Sequence, residues 1–138
     1  MIGTPGQDAF ISSQRWAVVT TLRGDGSPSN SVIFFARDGD TLLFSTTTDR
    51  LKARTLALDP RIAITVLDEG APFRFATVEG TATIEHENLV ENHVLINRAM
   101  RNDPAWQAPE GMLERLQGEG RVVIRVHPER VSGVVNRG

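Results

Sequence analysis

Three cationic side chains follow a run of hydroxyl residues and could together bind an anion. The cations are Arg50, Lys52 and Arg54, and the hydroxyl run begins at Ser45 and Thr46. The run has the composition of a strand end that leads into the first turn of a helix, where backbone N–H groups lack intrahelical partners and the helix dipole is positive. Exposed cations oppose that dipole at a cost of about 0.3–1 kcal/mol each, so the segment predicts a phosphate-bearing ligand that offsets the cost. The alternative is a solvated basic turn in which the neighbouring aspartate supplies the favourable charge.

A second stretch, PSNSVIFF, has side chains that could lie along a planar ligand. Alternate residues of a strand face opposite sides, so Ser31 and Ile33 share one side and Val32 faces the other. The same alternation sends Phe34 and Phe35 in opposite directions, so that one could enter the core and the other a subunit contact. A core strand with a polar start explains any single residue here equally well.

A third stretch begins at Pro72 and carries two aromatic rings. On a strand, Phe73 and Phe75 would share one face, and Arg74 and Ala76 the other. Aromatic rings can pack on a planar ligand, but two core phenylalanines explain the pattern as well.

Residues suited to covalent or metal chemistry are scarce. The sequence has no cysteine and no tyrosine, which excludes disulfides, thiolate metal sites, a cysteine nucleophile and a phenol acid. His86 and His93 could share a helical face, but no third ligand completes a metal site, so both are expected to be solvated. We therefore predict no catalytic side chain and no metal, and a bound cofactor must carry the difficult chemical step.

The hydrophobic pattern predicts a mainly β fold with short helices. Strands are expected at residues 16–22, 28–37, 41–46, 61–67, 73–85 and 121–127, with a short addition at 131–135. Helices are expected at 8–14, 49–58, 87–101 and 112–117, the second capped by Thr48 or Asp49. Gly80 interrupts the longest strand, where a bulge or bend is expected. About six strands, joined mostly by hairpins, indicate an antiparallel barrel or sandwich.

Length and charge narrow the class of protein. The 138 residues have a net charge of −2, so no general attraction to nucleic acid or to an acidic membrane is expected. The N-terminus lacks the basic and apolar pattern of a signal peptide, and the apolar runs are too short to span a bilayer. We expect a single domain over residues 1–138 that is soluble and cytoplasmic, with no nucleic-acid or membrane partner.

Four segments, in this order, resemble the pyridoxamine-phosphate-oxidase-like split β-barrel superfamily. They are WAVVTTLRGDGSP, TLLFSTTTDRLKARTLALDPRIAITV, FATVEGTATI and RVVIRVHPERVSG. Within this superfamily the chain is most similar to small oxidoreductases that use coenzyme F-420, a deazaflavin. The resemblance implies a six-stranded antiparallel split β-barrel of the FMN-binding type, and a homodimer with two cofactor sites at the subunit interface.

The resemblance also implies which residues contact the cofactor. The matching positions are Ser31, Val32 and Ile33 along the ring, Ser45 and Thr46 beside the ring and the phosphate tail, Arg50, Lys52 and Arg54 at the phosphate, and Phe73, Phe75 and Ala76 on the long strand of the second subunit. The chain departs from some relatives in having phenylalanine, not tryptophan or tyrosine, at positions 73 and 75. This difference leaves the substrate open.

The activity that the resemblance implies is hydride transfer between coenzyme F-420 and a small organic substrate. An FMN-binding oxidase or reductase of the same fold is the first alternative, and a non-catalytic cofactor-binding protein is the second. The deazaflavin is favoured because an oxidase acting on a phosphorylated substrate would need a second anion site. Outside the group at residues 50–61, the basic residues are scattered along the sequence.

Overall fold

The computed structural model describes residues 1–71 and 73–136, so Pro72, which opens the third stretch, and Arg137 and Gly138 lie outside the described residues. The elements in chain order are α1 Pro5–Ser13, β1 Trp16–Leu22, β2 Pro28–Phe34, β3 Ala36–Asp38, β4 Thr41–Thr47, α2 Leu51–Leu58, β5 Arg61–Leu67, β6 Phe75–Glu85, α3 Leu89–Arg101, α4 Met112–Gly118 and β7 Arg121–Ser132. The mainly β prediction with short helices is confirmed.

The strands form one antiparallel sheet in the order β2-β1-β5-β6-β7-β4-β3. Side chains alternate along β1 and β5, with Ala17, Val19, Ile64 and Val66 fully buried and their neighbours more exposed. Buried residues from β1, β2, β4, β5, β6 and β7 form one core inside the sheet, which Phe10 and Ile11 of α1 and Leu56 of α2 also enter. One face of the sheet therefore curls around a continuous apolar interior, which is the predicted split β-barrel.

The barrel closes at Phe35. This residue alone separates β2 from β3, yet the two strands stand at opposite edges of the sheet. Because consecutive Cα atoms are about 3.8 Å apart, the two edges must come together here. The Phe35 N–H donates to the Arg15 carbonyl at 3.0 Å, and its ring is buried. The prediction of one strand over residues 28–37 is therefore wrong at this residue, and the sheet has seven strands, not six.

A β-bulge interrupts the pairing of β6 with β7 between Glu79 and Gly80. The His127 carbonyl approaches Gly80 so closely that a Cβ at position 80 would collide with it. The predicted irregularity at Gly80 is confirmed. The prediction of a strand over residues 73–85 is wrong at its start, because Phe73 lies in a turn and β6 begins at Phe75.

Helices α1 and α2 contribute side chains to the barrel core, whereas α3 and α4 pack on the outside of the sheet. Helix α1 begins at Pro5, earlier than predicted, because the Thr4 side chain accepts the Gln7 N–H and Gln7 reciprocates in a capping box. Helices α3 and α4 cover the outer face of β4 and β7 through a second apolar cluster that includes Leu43 and Val123. No helix in the described ranges is both long and apolar enough to cross a membrane.

Candidate functional site

A cleft of about 280 Å³ opens where four parts of the fold meet. These parts are the outer face of β2, the end of β4, the start of α2 and one side of α3, with β7 contributing a single side chain. The lining residues are Val32, Ile33, Phe34, Ser45, Thr46, Thr47, Arg50, Lys52, Ile96, Met100 and Arg121. Six of the eleven predicted cofactor contacts are therefore next to one another in space: Val32, Ile33, Ser45, Thr46, Arg50 and Lys52.

The start of α2 presents cations with no acidic residue in the first helical turn, although the charges of Arg50 and Arg54 act on the Asp49 carboxylate just before the helix. Arg50 is the N-cap residue, it makes no side-chain capping bond, and the first turn contains no acidic residue. The predicted cap by Thr48 or Asp49 is wrong, because the Asp49 carboxylate instead accepts a hydrogen bond from the Thr47 hydroxyl. The first-turn N–H groups of α2 are thus not satisfied by a side-chain cap.

The cations at this helix start lack carboxylate partners. Within residues 1–71 and 73–136, no carboxylate forms an ion pair with Arg50, Lys52 or Arg54. The pKa of Lys52 is lowered, first by burial and then by the charge of Arg50. Arg54 is exposed and does not line the cleft. An anion in the cleft would therefore relieve an unfavourable concentration of positive charge.

A further cation reaches the cleft from β7. Arg121 stands opposite Thr47 in the β4–β7 ladder, and its Nε lies 3.1 Å from a Glu119 carboxylate oxygen. The sequence did not identify Arg121 as a candidate site residue, because it is one of the basic residues that are scattered along the chain. No local signal marks it, since only the pairing of β7 with β4 brings it to the cleft.

Ser45 contacts a buried histidine at the cleft wall. The Ser45 Oγ lies 2.7 Å from His93 Nε2, and His93 Nδ1 lies 2.7 Å from the Leu89 carbonyl oxygen. His93 is only 4% exposed, so the prediction of a solvated histidine at this position is wrong. Burial is the largest cause that lowers the pKa of His93. The helical stripe that contains Leu89 and Ile96 could have shown that His93 faces inward.

The two faces of β2 differ as the alternation predicts. Val32 is 67% exposed and borders the cleft, whereas Ile33 is buried at its edge. Ser31 faces the other side from Val32, is half-buried and does not line the cleft. Phe34 and Phe35 face opposite ways as predicted, and the structure shows that Phe35 is the buried one and Phe34 the exposed one.

The predicted contacts from the long strand do not reach the cleft of the same chain. Phe73 is 81% exposed in its turn, and Phe75 is half-buried at the start of β6. Ala76 is fully buried in the barrel core, so its side chain is not available to a ligand. Any contact from Phe73 or Phe75 would have to be made with another subunit, as the resemblance implies.

Comparisons with known proteins agree with this architecture. The sequence model of the pyridoxamine 5'-phosphate oxidase family matches residues 4–135. Among solved structures, an F-420 reductase is 27% identical, with a TM-score of 0.74 over 94% of this chain and 98% of that chain.

Two structures with lower sequence identity also share the fold. A conserved hypothetical protein from Mycobacterium tuberculosis is 22% identical, with a TM-score of 0.80 over 99% of this chain and 88% of that chain. General stress protein 26 from Bacillus anthracis is 18% identical, with a TM-score of 0.67 over 94% and 91%. No curated protein matches the sequence.

Proposed function

The chain belongs to the pyridoxamine 5'-phosphate oxidase family, and we propose that it is an oxidoreductase that uses coenzyme F-420 to transfer a hydride to or from a small organic substrate. The observation that carries this proposal is the division of the cleft into a cationic end and an apolar end. The similarity to an F-420 reductase over nearly the whole length of both chains supports the choice of cofactor.

The cationic end fits a phosphate group. Arg50 and Lys52 at the start of α2 and Arg121 at the start of β7 line it together with the hydroxyl of Thr47. Arginine and lysine side chains form charge-assisted hydrogen bonds with phosphate oxygens, and the uncapped helix start adds N–H donors.

The apolar end fits a planar ring. Val32 and Phe34 on β2 line the cleft together with Ile96 and Met100 on α3. Aliphatic and aromatic side chains can cover both faces of a conjugated ring while excluding water from it. A molecule with a ring at one end and a phosphate at the other would satisfy both parts of the cleft.

The chemistry itself would come from the cofactor, which supplies a hydride at its ring when reduced. The residues of this chain bind and orient that ring: the cations hold the phosphate tail, the apolar walls exclude water, and Ser45 offers a polar contact between them. The described part of the chain has no cluster of acidic and histidine residues suited to a metal ion.

Charge distribution favours the deazaflavin over an FMN enzyme that acts on a phosphorylated substrate. Elsewhere, arginines such as Arg37, Arg61, Arg74, Arg125 and Arg130 pair with carboxylates. Among the described residues Arg23, Arg98 and Arg101 also lack an ion pair, but of the cations without one only Arg50 and Lys52 line the cleft, which therefore provides for one phosphate-bearing ligand. A phosphorylated substrate would need a second such group.

We also propose that two chains pair through the outer face of the sheet, placing the cofactor sites at the subunit interface. On this face Trp16 stands opposite Phe34, and Val18 stands opposite Val32. Leu67 and Phe75 continue the apolar surface on β5 and β6. Because Val32 and Phe34 belong both to this face and to the cleft, a partner on the face would enclose the cleft.

The test is titration of the purified protein with coenzyme F-420 and with FMN, followed by the fluorescence of each, in the wild type and in Lys52→Ala and Arg50→Ala. A charge-assisted phosphate contact contributes about 1.5–3 kcal/mol, so each substitution should weaken F-420 binding by about tenfold or more.

Arg61→Ala is the matched control, because Arg61 is exposed and paired with Asp59 at 2.7 Å. FMN binding without F-420 binding would favour the FMN alternative, and tight F-420 binding without turnover across a broad substrate panel would favour a cofactor-binding protein. Unchanged F-420 affinity in both Lys52→Ala and Arg50→Ala would contradict the proposed phosphate site.

A further inference from the structure

The hydrogen bonds of His93 fix which of its ring nitrogens carries the proton. The Leu89 carbonyl lies 2.7 Å from Nδ1, and a carbonyl oxygen can only accept. Nδ1 must therefore carry a proton and donate it. The state of the other nitrogen, Nε2, depends on whether the ring is neutral or charged.

The surroundings of His93 favour the neutral ring. The side chain is 4% exposed between α3 and β4, where a charged imidazolium would lose most of its hydration. The charged groups that act on it are Arg121 of β7, Arg115 of α4 and Glu119 after α4, and the two cations outnumber the single anion. Nε2 is then unprotonated and can only accept.

The hydroxyl of Ser45 is consequently turned toward the histidine. Its Oγ lies 2.7 Å from Nε2, so the single hydroxyl proton is donated there. Among the described residues, no other side chain or backbone group hydrogen-bonds this oxygen. Ser45 is half-buried at the cleft wall, and the lone pairs of its oxygen remain for whatever occupies the cleft.

We propose that His93 is a positioning residue that holds the Ser45 hydroxyl as a hydrogen-bond acceptor toward the cleft, so that the cleft selects a ligand with an N–H or O–H donor at this point. The imide N–H that flavin and deazaflavin rings share is a donor of this kind. A ligand that presents only an acceptor would meet the Ser45 oxygen lone pair to lone pair and would be rejected. This inference rests on the proposed function for the identity of the ligand, but not for the geometry.

The first part of the test measures the histidine in the free protein. Long-range proton–nitrogen correlation spectra of 15N-labelled protein at pH 7.5 distinguish protonated from bare ring nitrogens, and His93→Gln identifies the His93 signals. We expect a neutral His93 with the proton on Nδ1. A proton on Nε2, or a charged ring, would overturn the proposal.

The second part is a double-mutant cycle with Ser45→Ala and His93→Leu, read as the dissociation constant for F-420 or FMN, whichever binds. Loss of one neutral hydrogen bond should weaken binding by about two- to tenfold in Ser45→Ala. In the wild-type background, His93→Leu should weaken binding by no more than Ser45→Ala does. In the Ser45→Ala background, it should cause no further loss of affinity.

His93→Gln provides the rescue variant, since its amide oxygen can also accept from Ser45; it should bind the ligand within about twofold of the wild type. A merely structural role for His93 would instead give the same loss of affinity with and without Ser45, and that result would contradict the proposal. If His93→Leu fails to fold, the spectra and the glutamine variant still decide the question. If neither cofactor binds, the proposed function fails, and the tautomer alone decides the inference about His93.

Discussion

The buried neutral state of His93 has a consequence for stability as well as for the cleft. The folded protein holds the pKa of this ring below its ordinary value of 6.5, chiefly through burial. The unfolded chain has no such constraint and takes up a proton near the ordinary value. Below that pH the unfolded chain binds more protons than the folded protein does, so protons favour unfolding.

We predict that the free energy of unfolding falls as the pH drops from about 7.5 to about 5.5, by up to about 1.4 kcal/mol per pH unit from this residue. The carboxylates with lowered pKa values, such as Asp8 and Asp68, start from 3.8 and titrate below this window. Urea denaturation across the window should show a flatter profile for His93→Gln than for the wild type.

His86→Gln is the control for this measurement, because His86 is exposed. It should keep the wild-type slope. An identical slope in the wild type and in His93→Gln would contradict a buried neutral ring.

At the residue scale, the sequence was most informative where the functional groups are close together in the chain. Arg50 and Lys52 could be predicted because a basic helix start is a local pattern, and the structure places both at one cleft. Arg121 and His93 could not be assigned, because their roles depend on pairings with β4 that span many residues. Proximity in space, which local patterns do not encode, completes the site.

At the scale of elements, the bulge in β6 depends on a position without a side chain. The register between β6 and β7 shifts at Gly80, where the His127 carbonyl leaves no room for a Cβ. Backbone atoms cannot rotate away as a flexible side chain can, so the two longest strands would have to separate to accommodate one methyl group.

We predict that Gly80→Ala lowers the free energy of unfolding by about 1–3 kcal/mol, the usual cost of overpacking. Gly24→Ala is the matched control, since a Cβ at position 24 meets nothing within 4 Å. Thermal and urea denaturation of both variants measure the difference. Equal stability of the two would show that the strands yield at the bulge at little cost.

Element boundaries show which signals could be read and which could not. The start of α1 could have been located from the sequence, because Thr4 and Gln7 have the spacing of a capping box. The break between β2 and β3 could not be located in this way, because Phe35 has the same apolar character as its strand neighbours. Its separation from them follows from closure of the barrel, which is a property of the whole sheet.

At the scale of the whole molecule, the outer sheet face leaves apolar side chains in contact with solvent in a single chain. Val32 is 67% exposed and Phe34 44% exposed, and both lie beside half-buried residues of β1. Such a patch is typical of an interaction surface. The proposed second copy would bury this patch.

We predict a dimer in the wild type and a monomer of 15.2 kDa in Val32→Asp. A charge buried in an apolar interface is unfavourable unless it is paired. Light scattering at micromolar concentration measures the mass, and circular dichroism checks that the fold is retained. Leu58→Asp is the control, because Leu58 is 82% exposed on α2, outside the proposed interface. A monomeric wild type would contradict the pairing.

The position of β7 in the sheet determines when the cleft can form during synthesis. This strand pairs with β6 on one side and β4 on the other, although it follows both in the chain. A nascent chain can pair β1 with β2 and β5 with β6, but β4 has its ladder with β7 only after residues 121–132 have left the ribosome. The wall that carries Ser45 and the position of Arg121 thus depend on the last strand in chain order. Contacts between such distant segments form slowly, so the proposed cofactor could be captured only after β7 has been made and could not assist the folding steps that precede it.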